Sequence, residues 1–166
     1  MNAAISARLA EVTMETLERL AYIFAAPAPE APAAAGSPLE TVRVDFTGRF
    51  TGGMELALSA SVLAELAANM LGAEEGTTLS ADEQRDALRE LANVVCGNLL
   101  PAIAGSEHEF NIHTPYLASA DGPEWKDPAG LSHLVLENGV CRVRMRVDGG
   151  LPRELAATPR TAAEQG

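Results

Sequence analysis

The sequence is poor in cysteine. Two in 166 residues, Cys96 and Cys141, make no disulfide framework and match no zinc-ligand spacing. Both are expected to be reduced core thiols of a cytoplasmic protein. Positive charge is also scarce. Twelve Lys and Arg against 23 Asp and Glu leave a net charge of −11 and a pI near 4.6. That balance excludes the phosphate neutralisation on which nucleic-acid binding depends, and it disfavours an anionic membrane surface. No apolar run approaches the length of a membrane span, and the N-terminus reaches Glu11, Glu15 and Glu18 without a signal-peptide core. A glycine-rich phosphate loop and a dinucleotide fingerprint are both missing. Much of the 47% apolar content is alanine, so the core must rest on Leu, Val, Ile, Met and Phe.

What is present reads as one domain with appendages. Residues 1–25 form an amphipathic helical segment, with Ile5, Leu9, Val12, Leu17, Leu20 and Phe24 at helical spacing. Its polar side is acidic, so it is expected to pack on protein, either its own domain or a neighbour. Residues 26–38 are rich in Pro and Ala and read as an extended linker. Within residues 39–150, Val42, Val44 and Phe46 alternate with polar residues, as do Met54, Leu56 and Leu58, predicting a hairpin turned through residues 47–53. Residues 59–71 read as a helix closed by Gly72. A capping box at Ser80 and Glu83 opens a longer helix, which Pro101 is expected to kink or end. Residues 108–117 read as a strand, and residues 119–128 as a loop holding Trp125. Leu134 and Leu136 lead through Asn138-Gly139 into a closing hairpin strand, and residues 151–166 read as a loose tail. The element order gives an α+β fold with antiparallel pairing.

The helix after Ser80 carries the chemistry. At about 100° per residue, Leu88, Leu91, Ala92, Val95 and Leu99 gather on a core-facing stripe, while Asp86, Glu90, Asn93 and Gly97 gather on the other side. Asn and Gly are poor choices for an exposed helix interior, where Ala or Lys would serve stability better. A carboxylate and an amide one turn apart project side by side, and Gly97 removes any side chain that would hold a partner away. Spacing alone leaves an ordinary solvated face open. Other candidates are weaker. His108 and His113 fall one residue out of step with the zinc-protease pattern, so they read as surface histidines. The row Arg142, Arg144 and Arg146 reads as a solvated sheet face opposite acidic residues rather than an anion site.

Asp86, Glu90 and Asn93, on a helix that follows a hairpin and a shorter helix, resemble the CheC/CheX/FliY family of chemotaxis phosphatases. Pro115 completes the family's signature, with 21 residues between it and Asn93, one short of the usual spacing. The similarity runs from about Val42 to Val147 and, with a single motif copy, is closest to CheX. The resemblance implies an antiparallel sheet packed against two long helices. It further implies hydrolysis of the aspartyl phosphate of a CheY-like response regulator, with Asn93 orienting the water and Glu90 pairing with the receiver's lysine. Asp86 and Gly97 would face the partner. The chain would need no cofactor of its own, Mg²⁺ belonging to the receiver, and would form a homodimer. A noncatalytic adaptor of the same fold, binding a receiver or flagellar-switch protein, is the alternative.

Overall fold

The computed structural model describes residues 1–32, 38–119 and 124–156. Among these residues four helices, α1 (Ala3–Ala21), α2 (Ala60–Leu71), α3 (Ala81–Ala104) and the short α4 (Arg153–Ala156), accompany seven strands. The strands are β1 (Ala25–Ala28), β2 (Leu39–Thr47), β3 (Gly52–Ser59), β4 (Asn111–Ile112), β5 (Tyr116–Leu117), β6 (Gly130–Leu136) and β7 (Gly139–Val147). They form one antiparallel sheet in the order β1-β6-β7-β3-β2-β4, with β5 also on β2. The α+β class and the antiparallel sheet are as the sequence indicated. Of the two long helices, α3 lies in the expected domain, whereas the other, α1, comes from the segment 1–25 outside it.

Alternation sets the two faces of the sheet. Val44, Met54 and Met145 are directly cross-strand and fully buried, as are Val42, Leu56 and Val143. These rows meet α1, α2 and α3 on one side of the sheet. The next row, one residue out of phase, is Arg43–Glu55–Arg144. The expected acidic partners are present, but the centre of this face is buried rather than solvated. Glu55 is only 1% exposed, and its carboxylate accepts from Arg43 Nε at 2.8 Å, Arg144 Nε at 2.7 Å and Arg142 Nη2 at 3.2 Å. Trp125 lies 5.2 to 5.3 Å from the guanidiniums of Arg43, Arg144 and Arg146 and roofs the cluster. The register puts arginines on both sides of one acid, so a single buried carboxylate is shared by several guanidiniums.

Several other expectations shift. Ala25–Ala28, which joins the end of the segment read as helical to the start of the one read as a linker, pairs with β6 as an edge strand, and Pro27 suits an edge because it has no ladder donor to give. Residues 33–37 of that segment, 120–123 of the Trp125 loop and 157–166 of the tail lie outside the described residues. Arg153–Ala156, in the segment read as a tail, is helical. The first helix packs on its own domain through Ile5, Leu9, Val12 and Leu17. Gly52 and Gly53 belong to β3 rather than to the turn, because a Cβ at Gly52 would collide with the Arg146 carbonyl of β7. The last hairpin pairs Leu136 with Gly139, so Glu137 and Asn138 make the turn. Gly139 is needed for packing instead: a Cβ there would lie 2.7 Å from the Ser59 Cβ. Residues 108–117 hold two short strands separated by residues 113–115, not one.

Buried and shared by three guanidiniums, Glu55 has a pKa subject to opposing pulls. Burial would raise it, but hydrogen bonds and charge from Arg144 and Arg43 outweigh burial and hold it below its ordinary 4.5. A lowered acid pKa stabilises the fold fully above the unfolded value, and that contribution fades as pH falls through the folded one. Urea unfolding below pH 4.5 should therefore show a loss of stability that is absent in Glu55→Gln. At neutral pH, Glu55→Ala should cost about 3 kcal/mol by removing the acceptor of a buried ion cluster.

Candidate functional site

Helix α3 is oriented by what it buries. Ser80 Oγ accepts from the Glu83 amide while the Glu83 carboxylate accepts from the Ser80 amide, fixing the N-terminus. Leu88, Leu91, Ala92, Val95 and Leu99 are fully buried, so the opposite stripe must face outward. Asp86, Glu90 and Asn93 are all exposed, and Gly97 is half-buried. The helix runs through Pro101 to Ala104 instead of ending there. Because proline has no N–H, the Gly97 carbonyl lacks its usual intrahelical donor from position 101.

A second element closes on this stripe. Phe110 stands edge-on to Phe46 at 5.9 Å and to Phe50 at 5.0 Å between centroids, anchoring the segment before β4. Gly48 makes room for that ring, since a Cβ at that position would lie 2.7 Å from Phe110 Cδ1. β4 then pairs with the end of β2, and the His113 amide donates to the Asp45 carbonyl at 2.9 Å. The result is a shallow groove of about 320 Å³ lined by Asp86, Arg89, Glu90 and Asn93 from α3 and by residues 112–115. Asp86, Glu90, Asn93 and Pro115 thus converge, although 21 residues separate Asn93 from Pro115 in sequence. Gly97 lies one turn beyond the groove, where an added Cβ would meet only Ile112 Cδ1 at 3.8 Å.

Arg89 is the groove residue that sequence reasoning passed over. Its guanidinium donates to the Asp86 carboxylate, three residues back, and Asn93 stands four residues ahead of it. Both are neighbouring positions on a helix, so the i, i+3 and i, i+4 count would have found it. His113 lines the groove, whereas His108 lies against Arg49 at 2.6 Å. Cys96 and Cys141 are buried free thiols whose pKa burial pushes up to about 12, which keeps them protonated and unreactive. No helix among the described residues is long and apolar enough to cross a membrane.

The family model described as chemotaxis phosphatase CheX matches residues 41–137, more than half of the chain. The chain belongs to the CheX family. No curated protein matches it in sequence. Among solved structures it is similar to chemotaxis protein CheX of Desulfovibrio desulfuricans, with a TM-score of 0.67 at 18% identity over 87% of this chain and 99% of that one. CheX of Vibrio vulnificus gives 0.67 at 19% identity, over 88% of this chain and 97% of that one. CheX in the CheX–CheY–BeF₃–Mg²⁺ complex of Borrelia burgdorferi gives 0.60 at 13% identity, over 85% and 96%. At such identities the likeness establishes the fold.

Gly97 sits in a helix interior where alanine is favoured by about 1 kcal/mol, and the structure leaves space for a methyl group. Gly97→Ala should therefore raise the unfolding free energy by about 0.5–1 kcal/mol in a urea titration. The same variant should weaken any partner that must approach the α3 backbone.

Proposed function

We propose that the chain hydrolyses the aspartyl phosphate of a CheY-like receiver, with α3 as the docking helix and Glu90 and Asn93 as the residues that act. The observation that carries this reading is the exposure of that acid–amide pair, side by side in a groove, on a helix otherwise committed to the core. An acyl phosphate has a good carboxylate leaving group, so catalysis requires placement of water more than a strong base. The Asn93 amide holds a water in line with the scissile bond. The water oxygen attacks phosphorus, the P–O bond to the receiver aspartate breaks with its electron pair remaining on the carboxylate, and the water proton leaves on inorganic phosphate or to solvent. Glu90 pairs with the receiver's active-site lysine and sets the register. Mg²⁺ is held by the receiver, and this chain contributes no cofactor. The solved complex of a similar CheX with CheY, BeF₃ and Mg²⁺ supports a receiver as the partner class. The same reading places the protein in the cytoplasm as a homodimer associated through its sheets, with light scattering as the check on the dimer.

The test uses CheY-type receivers of the source organism, charged with acetyl phosphate and Mg²⁺. The wild-type chain should accelerate loss of phosphate from at least one of them. Asn93→Ala should lower kcat by about 10²-fold or more with receiver binding retained, as removal of one positioned polar group does elsewhere. Glu90→Ala should raise KM as well. Equal rates for wild type and Asn93→Ala would remove Asn93 from the mechanism, and acceleration of no receiver would leave an adaptor.

A further inference from the structure

Arg89 is the only Lys or Arg among the residues lining the groove, which also holds the acids Asp86 and Glu90. The chain carries a net charge of −11. Its target, on the phosphatase reading, is itself anionic: a phosphoryl group beside carboxylates that hold Mg²⁺. Two negative surfaces repel across a shrinking gap, so docking requires a cation on this side as well as the receiver's own lysine. We propose that Arg89 is that cation, an anchor which Asp86 holds in the free chain and which turns to the partner's anionic centre on docking. The inference rests on the phosphatase reading and names how that site recognises its substrate.

The geometry supports the exchange. The Arg89 side chain is 37% exposed and that of Asp86 is 70% exposed. An ion pair so open to solvent is weakly held, so giving it up costs little. Arg89 stands one turn before Asn93 on the same side of α3, so its guanidinium can reach whatever meets that amide. A guanidinium fork fits two oxygens of a phosphoryl or carboxylate group, which an ammonium cannot match. Arg89 is thus a substrate-binding residue, and its contribution is binding shared by ground state and transition state.

Steady-state hydrolysis should be followed with the receiver that wild type dephosphorylates fastest, at low and high KCl, and binding measured with the same receiver charged with BeF₃. Arg89→Gln should raise KM and the dissociation constant about tenfold with kcat within about twofold, the pattern of lost uniform binding. Salt should raise the wild-type KM relative to that of Arg89→Gln, whose KM should stay flat or fall as the remaining repulsion is screened. Arg89→Lys should fall between the two, and Asp86→Asn should bind at least as tightly as wild type. Thermal melts should confirm that these surface variants stay folded. Wild-type KM and salt dependence in Arg89→Gln, with Asn93→Ala inactive, would overturn the anchor and leave the phosphatase reading intact. Weaker binding in Asp86→Asn would overturn the holding role of Asp86. A wild-type chain that dephosphorylates no receiver would overturn both readings together.

Discussion

Burial of one stripe of α3 determines what the other stripe can do. Leu88, Leu91, Val95 and Leu99 are each inaccessible to solvent. At about 1.5–3 kcal/mol per buried side chain, rotating the helix to hide Asn93 would cost far more than any surface contact could return. The capping box fixes where the helix starts, so its phase is set from residue 80 onward. Glu90 and Asn93 are consequently held on a rigid rod, where a group that positions a water or a lysine is most accurate.

The groove needs a second wall, and aromatic packing reinforces the short pairing that supplies it. β4 and β5 are two residues each, too short to hold a loop by their ladders alone. The Phe46, Phe50 and Phe110 cluster helps to hold it, and Gly48 is the vacancy that admits the Phe110 ring. Pro115, between the two short strands, both interrupts the edge and stands at the lip of the groove. Its place beside Asn93 therefore depends on aromatic contacts 5.0–5.9 Å apart at the opposite end of the segment.

The parts of this architecture that were legible in the sequence are those with local causes. The apolar stripes of α1 and α3, the Ser80 and Glu83 cap and the alternation in β2, β3 and β7 each express a period that neighbouring residues enforce, and the exposed Asp86, Glu90 and Asn93 follow from the same period. What sequence reading missed depends on register or on distant neighbours. The alternation of Arg142, Arg144 and Arg146 says which face they share, but only the pairing of β3 with β7 and β2 puts Glu55 between Arg144 and Arg43. Gly52 and Gly139 look like turn residues, yet each is demanded by a close approach of another element. β1 is a strand because β6 offers it an edge, which nothing in its four residues announces.

The two charged surfaces show why charge counts alone mislead about function. Four of the twelve cations, Arg43, Arg142, Arg144 and Arg146, lie on the outer sheet face and would suggest an anion site. The cavity of about 570 Å³ around Glu55 also holds Glu40 and Glu124, so its three arginines meet three acids within the same walls. There Glu55 is shared by Arg43, Arg142 and Arg144, and that cohesion serves the fold. The α3 groove is the reverse case: Asp86, Arg89 and Glu90 leave one acid over, their only internal pairing is an open one, and the helix beneath gives up propensity at Asn93 and Gly97. On the proposed reading, a partner carrying both cation and anion is the kind this groove would satisfy.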